Sequence, residues 1–130
     1  MGTVCGIKVT NIGAFAMLFY VRVANERWQS NYSSLLAVGQ SDTISSHDYG
    51  DDLSPFDGQE IYPVADIAFG VTGHGAGQNV VFAHDSTEIA VYTCGGTIFT
   101  PSFDYQGTEP YAQVAALRAG PGDGQEQIEE

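Results

Sequence analysis

The chain has 130 residues, which suits one domain with a hydrophobic core of its own. Its charge is one-sided, because 16 acids stand against four bases, Lys8, Arg22, Arg27 and Arg118, for a net charge of -12. Such a surface repels phosphate backbones and anionic headgroups, so the composition argues against nucleic acid and against membrane insertion. Neutral ligands and cations remain as partners.

The start of the chain shows no signal peptide. MGTVCGIKVTN lacks both a basic beginning and a long apolar run. GAFAMLFYV, residues 13–21, is too short to span a bilayer and runs straight into Arg22. The sequence therefore predicts either a cytoplasmic protein or a mature secreted one, and it leaves the compartment open.

The two clearest strand signals lie near the start of the chain. Apolar residues alternate with others through residues 5–10, and again, with larger side chains, through residues 15–23. A period of two is the pattern of a strand with one buried face. The turn residues 11–13 lie between these strands and predict a hairpin.

Shorter strands and loops are predicted in the middle of the chain. Alternation in residues 28–32 predicts a third strand, and residues 39–45 predict a shorter polar one. Ser54-Pro55 predicts a single helical turn within a loop. Residues 61–69 are β-like, but Pro63 removes one ladder donor, so the pattern favours an edge or a bulge over a central position in a sheet.

The last part of the chain predicts three strands and one helix. Residues 80–83, 89–93 and 97–103 are β-like, with a hairpin turn at residues 94–96. Thr108 is expected to cap a helix that has Glu109 and Pro110 in its first turn and continues through residues 111–118, and Gly120 ends it. Residues 1–120 are therefore expected to form one domain, and residues 121–130 an acidic, frayed tail.

The segment HDYGDD, residues 47–52, places an imidazole, a phenol and three carboxylates together. Its aspartates could supply oxygen ligands to calcium, but their spacing does not match an EF-hand loop. A pair of catalytic carboxylates needs a fixed separation, and acids are too abundant here for their presence to indicate one. The segment is therefore interpreted as a binding lip or a solvated loop first, a metal site third and a catalytic site last.

Signatures of catalysis and of cofactor binding are missing from the sequence. There is no GxSxG elbow, and the glycine-rich loop at residues 70–79 lacks the following Lys-Ser/Thr of a phosphate loop. Cys5 and Cys94 fit no CxxC metal pattern, and their spacing leaves open both a disulfide and two buried thiols. No cofactor and no metal is expected.

Aromatic residues in the polar segments stand among Asp, Asn and Gln. Neutral sugars require this mixture, because a flat ring covers the apolar C–H face while carboxylate or amide oxygens bind adjacent hydroxyls. About half of these rings are expected to be ordinary boundary residues of the sheet instead. The aromatic residues concerned are Trp28, Tyr32, Tyr49, Tyr62, Tyr92 and Tyr105. The residues chosen as the ligand-binding surface are Trp28, Tyr49, Asp51, Asp52, His74, Gln78 and Asn79.

Four segments carry a resemblance to a known family: VTNIGAFAMLFYVRV, GQSDTIS, YPVADIAFG and VYTCGGTIFTPSF. Through them nearly the whole chain resembles the mushroom glycan-binding proteins, fungal lectins that are also described as tobacco mosaic virus resistance proteins. The resemblance implies a lectin without enzymatic activity. It also implies a single αβα-sandwich domain whose antiparallel sheet continues across a homodimer, and a preference for fucosylated N-acetylgalactosamine–N-acetylglucosamine (LacdiNAc) glycans.

Together these observations predict an α+β fold, an antiparallel β-sheet with short flanking helices, and an all-β sandwich is the alternative. The first function expected is the binding of N-acetylgalactosamine- and fucose-containing glycans on cell-surface glycoproteins, with antiviral activity implied by the resemblance. A calcium-dependent binding or structural protein is the second reading, and a small hydrolase is the third.

Overall fold

A computed structural model describes residues 2–46 and 54–119, and in this part of the chain nine strands and one α-helix follow one another. In chain order these are β1 (Thr3–Val4), β2 (Gly6–Asn11), β3 (Met17–Val23), β4 (Ser41–Ser45), a 3₁₀ turn (Ser54–Phe56), β5 (Glu60–Ile67), β6 (His74–Gly75), β7 (Val80–Phe82), β8 (Glu88–Gly96), β9 (Pro101–Pro110) and α1 (Tyr111–Ala119).

The strands form two mixed sheets. The first has the order β1-β7-β5-β3, with β6 also paired to β5, and the second has the order β4-β2-β8-β9. Most neighbours are antiparallel, but β1 pairs in parallel with β7, and β2 with β8. The chain changes sheet at Cys5, where β1 gives way directly to β2.

The core lies between the two sheets. The inward positions of β2, β3 and β5 are filled by apolar residues that are almost completely buried, as the alternating sequence pattern requires. The largest fully buried side chains are Tyr92, Phe19, Phe82, Ile7, Met17, Ile44, Ile61 and Ile89. A second, smaller core lies where Val114 of α1 packs with Cys5 and Ile89.

The predicted α+β fold is wrong, and so is the αβα sandwich implied by the resemblance. About half of the described residues lie in strands, and α1 is the one α-helix among them. That helix packs on one end of the second sheet through Val114 and Tyr111, so the described residues form no helical layers on the two faces of a sheet. The apolar faces are buried against each other instead, which is the all-β sandwich given as the alternative.

The predicted hairpin between the first two long strands does not form. β2 belongs to the second sheet and β3 to the first, so residues 12–16 carry the chain across the sandwich. Asn11 fixes this crossing: its Nδ2 donates to the carbonyls of Phe15 (2.6 Å) and Leu36 (3.0 Å), and its Oδ1 accepts from Gly13 N (2.9 Å). The amide is fully buried, and all of these bonds hold it in place.

The strand predicted at residues 28–32 is also wrong. In this part of the chain every third residue, from Ser30 to Leu36, is hydrogen-bonded to the outer edge of β3. Ser30, Ser33 and Leu36 donate backbone N–H groups to the carbonyls of Val21, Phe19 and Met17 in turn. The Ser30 and Ser33 hydroxyls accept from the N–H groups of Val21 (2.8 Å) and Phe19 (2.9 Å). Side-chain oxygens therefore replace strand carbonyls, and the edge of β3 is covered.

Pro63 does not mark an edge strand. β5 lies between β3 and β7 in the interior of the first sheet. Proline is tolerated because the partner on that side changes there: β7 pairs with residues 60 and 61, and β6 with residues 64 and 65. The missing N–H of Pro63 falls in this gap, where its carbonyl accepts from Ala76 N (2.9 Å).

Two boundaries near the end of the chain differ from the sequence prediction. Residues 94–96 continue β8, and the turn lies at residues 97–100 instead. Thr108 pairs with Ala90 inside β9, so it caps no helix. The predicted helix itself is confirmed as α1, as are the strands at residues 39–45 and 80–83 and the helical turn at Ser54-Pro55.

Candidate functional site

The outward face of the first sheet concentrates aromatic and charged groups. β3 contributes Leu18, Tyr20 and Arg22 at alternate positions, while β5 contributes the residues directly opposite, Asp66, Val64 and Tyr62. All six therefore share one side of the sheet, because side chains alternate along a strand. Residues two apart on neighbouring strands are close enough for aromatic side chains to interact.

Tyr32 joins this face from the segment that covers the edge of β3. Its ring packs edge-on against that of Tyr20, with centroids 5.1 Å apart and planes at 84°. Tyr20 is buried, whereas Tyr32 is half exposed. Tyr20, Tyr32, Tyr62 and Asp66 are called the tyrosine face below.

A glycine lies directly beneath the ring of Tyr62 in the tyrosine face. Gly75 of β6 lies opposite Val64, and a Cβ at this position would stand 3.2 Å from the ring of Tyr62. Gly73, just before it, donates its N–H to Asp66 Oδ1 at 2.7 Å. This bond orients the carboxylate, and the second oxygen of Asp66 has no protein donor among the described residues.

The phenol of Tyr20 is held neutral by its surroundings. Burial raises its pKa, and the Asp66 carboxylate together with the phenols of Tyr32 and Tyr62 raises it further, against a lowering effect of Arg22. These groups are therefore close enough to influence one another. The Arg22 guanidinium donates to Glu26 O at 3.3 Å, while its buried Nε has no hydrogen-bond partner among the described residues.

A shallow cavity opens at one end of the tyrosine face. Its volume is about 210 Å³, and its walls are mostly apolar. The lining residues are Leu18, Tyr32, Leu35, Asp66, Ile67 and Ala68. Asp66 and Tyr32 thus provide polar atoms at the rim of an otherwise apolar depression, as in many sites for small ligands.

The opposite end of the same face is polar. Glu60 lies two residues before Tyr62 on β5, and its Oε1 accepts from Asn79 Nδ2 at 2.9 Å. Asn79 is one of the residues predicted from the sequence to bind ligand, and the structure places it beside the tyrosine face. Its neighbour Gln78 is exposed, with its carbonyl accepting from the Tyr92 hydroxyl at 2.7 Å.

His74 and Trp28 lie elsewhere. His74 pairs with the inward residue Ala65, and its ring stacks on Phe103 of the second sheet at 6.1 Å with planes 9° apart. Trp28 lies beyond the outer edge of β3 and packs on Phe56, with centroids 5.2 Å apart. Strand spacing and rise put the two rings on the order of 15 Å apart, so the structure does not bring them together.

Tyr49, Asp51 and Asp52, the other residues predicted to bind ligand, lie outside the described residues. The segment HDYGDD falls there too, so its interpretation as a lip, loop or metal site stays a prediction. Within residues 2–46 and 54–119, no three His, Cys, Asp or Glu side chains are grouped closely enough to hold a metal ion.

No disulfide joins Cys5 and Cys94. The backbone N–H of Cys5 donates to Glu88 O at 2.8 Å, whereas Cys94 pairs with Asn11 at the other end of β8. Six residues of strand separate the two places, about 20 Å, which exceeds the span of any disulfide. Burial raises the pKa of the Cys94 thiol to about 11, so it is a poor nucleophile at neutral pH.

Two members of the tyrosine face were missed in the sequence. The sequence pattern marks Tyr32 and Tyr62 as aromatic residues suited to a sugar, but for Tyr20 and Asp66 it predicts only a place in a strand. A signal was present, because these residues occupy the positions between the buried ones in β3 and β5. Pairing of those two strands was needed to show that the positions meet.

Comparison with family models and with curated proteins finds no match for this chain. One solved structure, described as "Trapped Toxin", is similar over 78% of this chain, with 14% sequence identity and a TM-score of 0.41. The chain spans 23% of the length of that structure. A likeness this weak supports no inference about the fold family or about function.

No helix within the described residues is long and apolar enough to cross a membrane.

Proposed function

We propose that this protein binds carbohydrate without catalysis and that the tyrosine face is its binding surface. The observation that carries the proposal is the meeting of the partly exposed rings of Tyr32 and Tyr62, the buried ring of Tyr20 and one carboxylate beside a shallow cavity. Phenol rings cover the apolar faces of sugar rings, and the Asp66 carboxylate accepts hydrogen bonds from hydroxyls. Because Gly75 has no side chain, the ring of Tyr62 can lie close to the sheet, where it can present its face to a ligand.

The ligand class follows from charge and from the resemblance. A protein of net charge -12 favours a neutral ligand over a phosphorylated one. Glycans that contain N-acetylgalactosamine and fucose, such as fucosylated LacdiNAc on cell-surface glycoproteins, are the ligands that the resemblance suggests. No cofactor or metal enters this proposal.

The test begins with a glycan array and continues with titration of a bound oligosaccharide. Asp66→Asn removes the charge but keeps an oxygen for the Gly73 N–H, so the fold should be retained. We expect affinity to fall about tenfold to a hundredfold, because a hydrogen bond to a charged acceptor contributes roughly 1–3 kcal/mol. Asp104→Asn is the matched control, since Asp104 is exposed on the second sheet.

The outcomes separate this proposal from the other two functions. Equal binding by the Asp66→Asn and Asp104→Asn variants would place the site elsewhere on the protein. Loss of glycan binding in a chelator would favour calcium-dependent recognition, and turnover of a generic ester or glycoside would favour a hydrolase. Binding of no glycan on a broad array would end the lectin proposal. Binding to a neutral sugar should also survive moderate salt.

A further inference from the structure

Four chain connections meet at one end of the sandwich. β2 and β8 run in parallel and end there, β3 and β4 begin there, and β5 also ends there. The connections are residues 12–16, 37–40, 68–73 and 97–100.

Hydrogen bonds join these connections to one another and to the strand ends. Ala68 N donates to Ala16 O (2.9 Å), Val71 N to Ile98 O (2.8 Å), and Gly39 N to Asn11 O (2.6 Å). The four connections therefore form one continuous surface.

This surface carries no charge, and its exposed side chains are large apolar ones together with the uncharged Gln40, Thr72, Thr97 and Thr100. None of the four connections contains Asp, Glu, Lys or Arg, although such residues make up 15% of the chain. Four large apolar side chains project from it: Ile12, Val38, Phe69 and Phe99, with exposed fractions of 55%, 62%, 97% and 70%. These four residues are called the apolar end. The opposite end of the sandwich, by contrast, carries Glu26, Arg27, Asp57 and Asp85.

Phe69 is the most prominent of the four. Its backbone φ is 61°, in the left-handed region that bulky residues seldom adopt. Gly70 follows it and lies against the Ile98 carbonyl, so closely that a Cβ would overlap that oxygen. The turn is thus held against its neighbour with a phenylalanine ring directed into solvent, at a conformational cost that no contact of the ring offsets.

We propose that the apolar end docks on the surface of an uncharged, zwitterionic lipid bilayer. Val38, Phe69 and Phe99 stand on separate turn tips at this end, and Ile12 lies beside Gly95 at the end of β8, so the exposed side chains can enter the headgroup region without unfolding any strand. The absence of charged residues from the tips means that no ionised group has to leave water when they enter the headgroups. The net charge of -12 opposes docking on an anionic surface, and a zwitterionic bilayer has no net charge to repel it.

A second copy of the chain fits this surface less well. The four exposed side chains present on the order of 500 Å², at the upper end of the largest apolar patch on an ordinary monomer. A stable protein interface buries about 800 Å² on each partner. Separate turn tips would also leave gaps between two rigid copies, whereas a fluid bilayer fills the space between them.

The experiment measures sedimentation of the full chain with carbohydrate-free phosphatidylcholine vesicles. We expect wild type to sediment with them, and Phe69→Asn and Phe99→Ser each to lower the partition coefficient about tenfold or more. Asn tolerates the left-handed backbone, so Phe69→Asn should fold, and Phe99→Ser tests the proposal independently of that turn. Thr87→Asn, an exposed change in the connection from β7 to β8, is the control that should leave partition unchanged.

Three results would overturn the proposal. One is wild type that stays in solution at millimolar lipid. Another is binding that requires phosphatidylserine, which would indicate an anionic surface. A third is a wild-type protein that does not bind vesicles but forms a dimer, which Phe69→Asn converts to monomer. The apolar end would then bind a second copy of the chain. Because these vesicles carry no sugar, glycan binding is tested separately.

Discussion

The edge of β3 provides the most direct test of how this fold is held together. Ser33 Oγ accepts from the N–H of Phe19 at 2.9 Å and donates to Ser34 O at 2.8 Å. Phe19 is completely buried, so its amide has no access to water. Ser33→Ala removes the acceptor and leaves this N–H without a partner inside the protein.

The expected cost follows from that loss. A buried donor left unsatisfied costs about 1–3 kcal/mol. The other bond of the hydroxyl adds little, because Ser34 is exposed and water can replace the donor to its carbonyl. We therefore expect Ser33→Ala to lower the free energy of unfolding by about 2 kcal/mol, out of roughly 5–15 kcal/mol for an ordinary domain. The melting temperature should fall by about 8 °C.

Ser30 gives an independent repeat of the same experiment. Its hydroxyl accepts from Val21 N at 2.8 Å, so Ser30→Ala should cost a similar amount. The two hydroxyls serve different amides, and the double variant should therefore lose roughly the sum.

Urea unfolding measures these losses, with Ser41→Ala as the control. Ser41 is exposed in β4, and its change should stay within about 0.5 kcal/mol. If Ser33→Ala were no more destabilising than Ser41→Ala, the hydroxyl would not be satisfying the strand edge, and the reasoning would be refuted.

Three further predictions concern the thiols, one close backbone contact and assembly. Thiol titration of the denatured, unreduced protein should find two reactive groups, whereas a result of none would indicate a disulfide. Because burial raises the pKa of Cys94 from 9.0 to about 11, the folded form favours the neutral thiol. The contribution of the Cys94 thiol to the free energy of unfolding is therefore fully present below about pH 9 and declines as the pH rises from there towards 11. Urea unfolding at pH 8 and at pH 10.5 should show this decline. Gly70→Ala forces a Cβ onto the Ile98 carbonyl and should cost about 1–3 kcal/mol by urea unfolding, whereas Gly77→Ala, which meets nothing within 4 Å, should be near neutral. We also expect a homodimer. Because the edge of β3 is covered, strand pairing between two copies would have to use another edge, such as that of β9. Light scattering at micromolar concentration should then give twice the chain mass, and a monomer would contradict the prediction.

The sequence by itself determined where most strands lie and which side of each is buried. The alternation in β3 and β5 already separated Phe19 and Ala65 on the inner side from Tyr20 and Asp66 on the outer side. It also located α1, because Tyr111 to Ala119 contains no helix breaker after Pro110. These features are local, since the period of the backbone decides which side chains share a face.

Only the tertiary structure decided which strands are neighbours. Alternation showed that β2 and β3 each need a covered face, but it could not show that Asn11 sends the chain across to the other sheet. Pro63 suggests an edge or a bulge, and the interior position of β5 is explained only by the change of partner between β6 and β7. Pairing is a long-range choice, made by whichever arrangement buries every apolar face at once.

The candidate site depends on the same distinction. Tyr20, Tyr62 and Asp66 are far apart in sequence, and they meet because β3 and β5 pair in one particular register. Tyr32 joins them only because the Ser30 and Ser33 hydroxyls hold its segment along the edge of β3. The hydrogen bonds to β3 recur at every third residue, whereas the sequence pattern indicates a strand with a period of two. A periodic pattern assigns each side chain to a face, but hydrogen bonds between distant segments decide which faces meet.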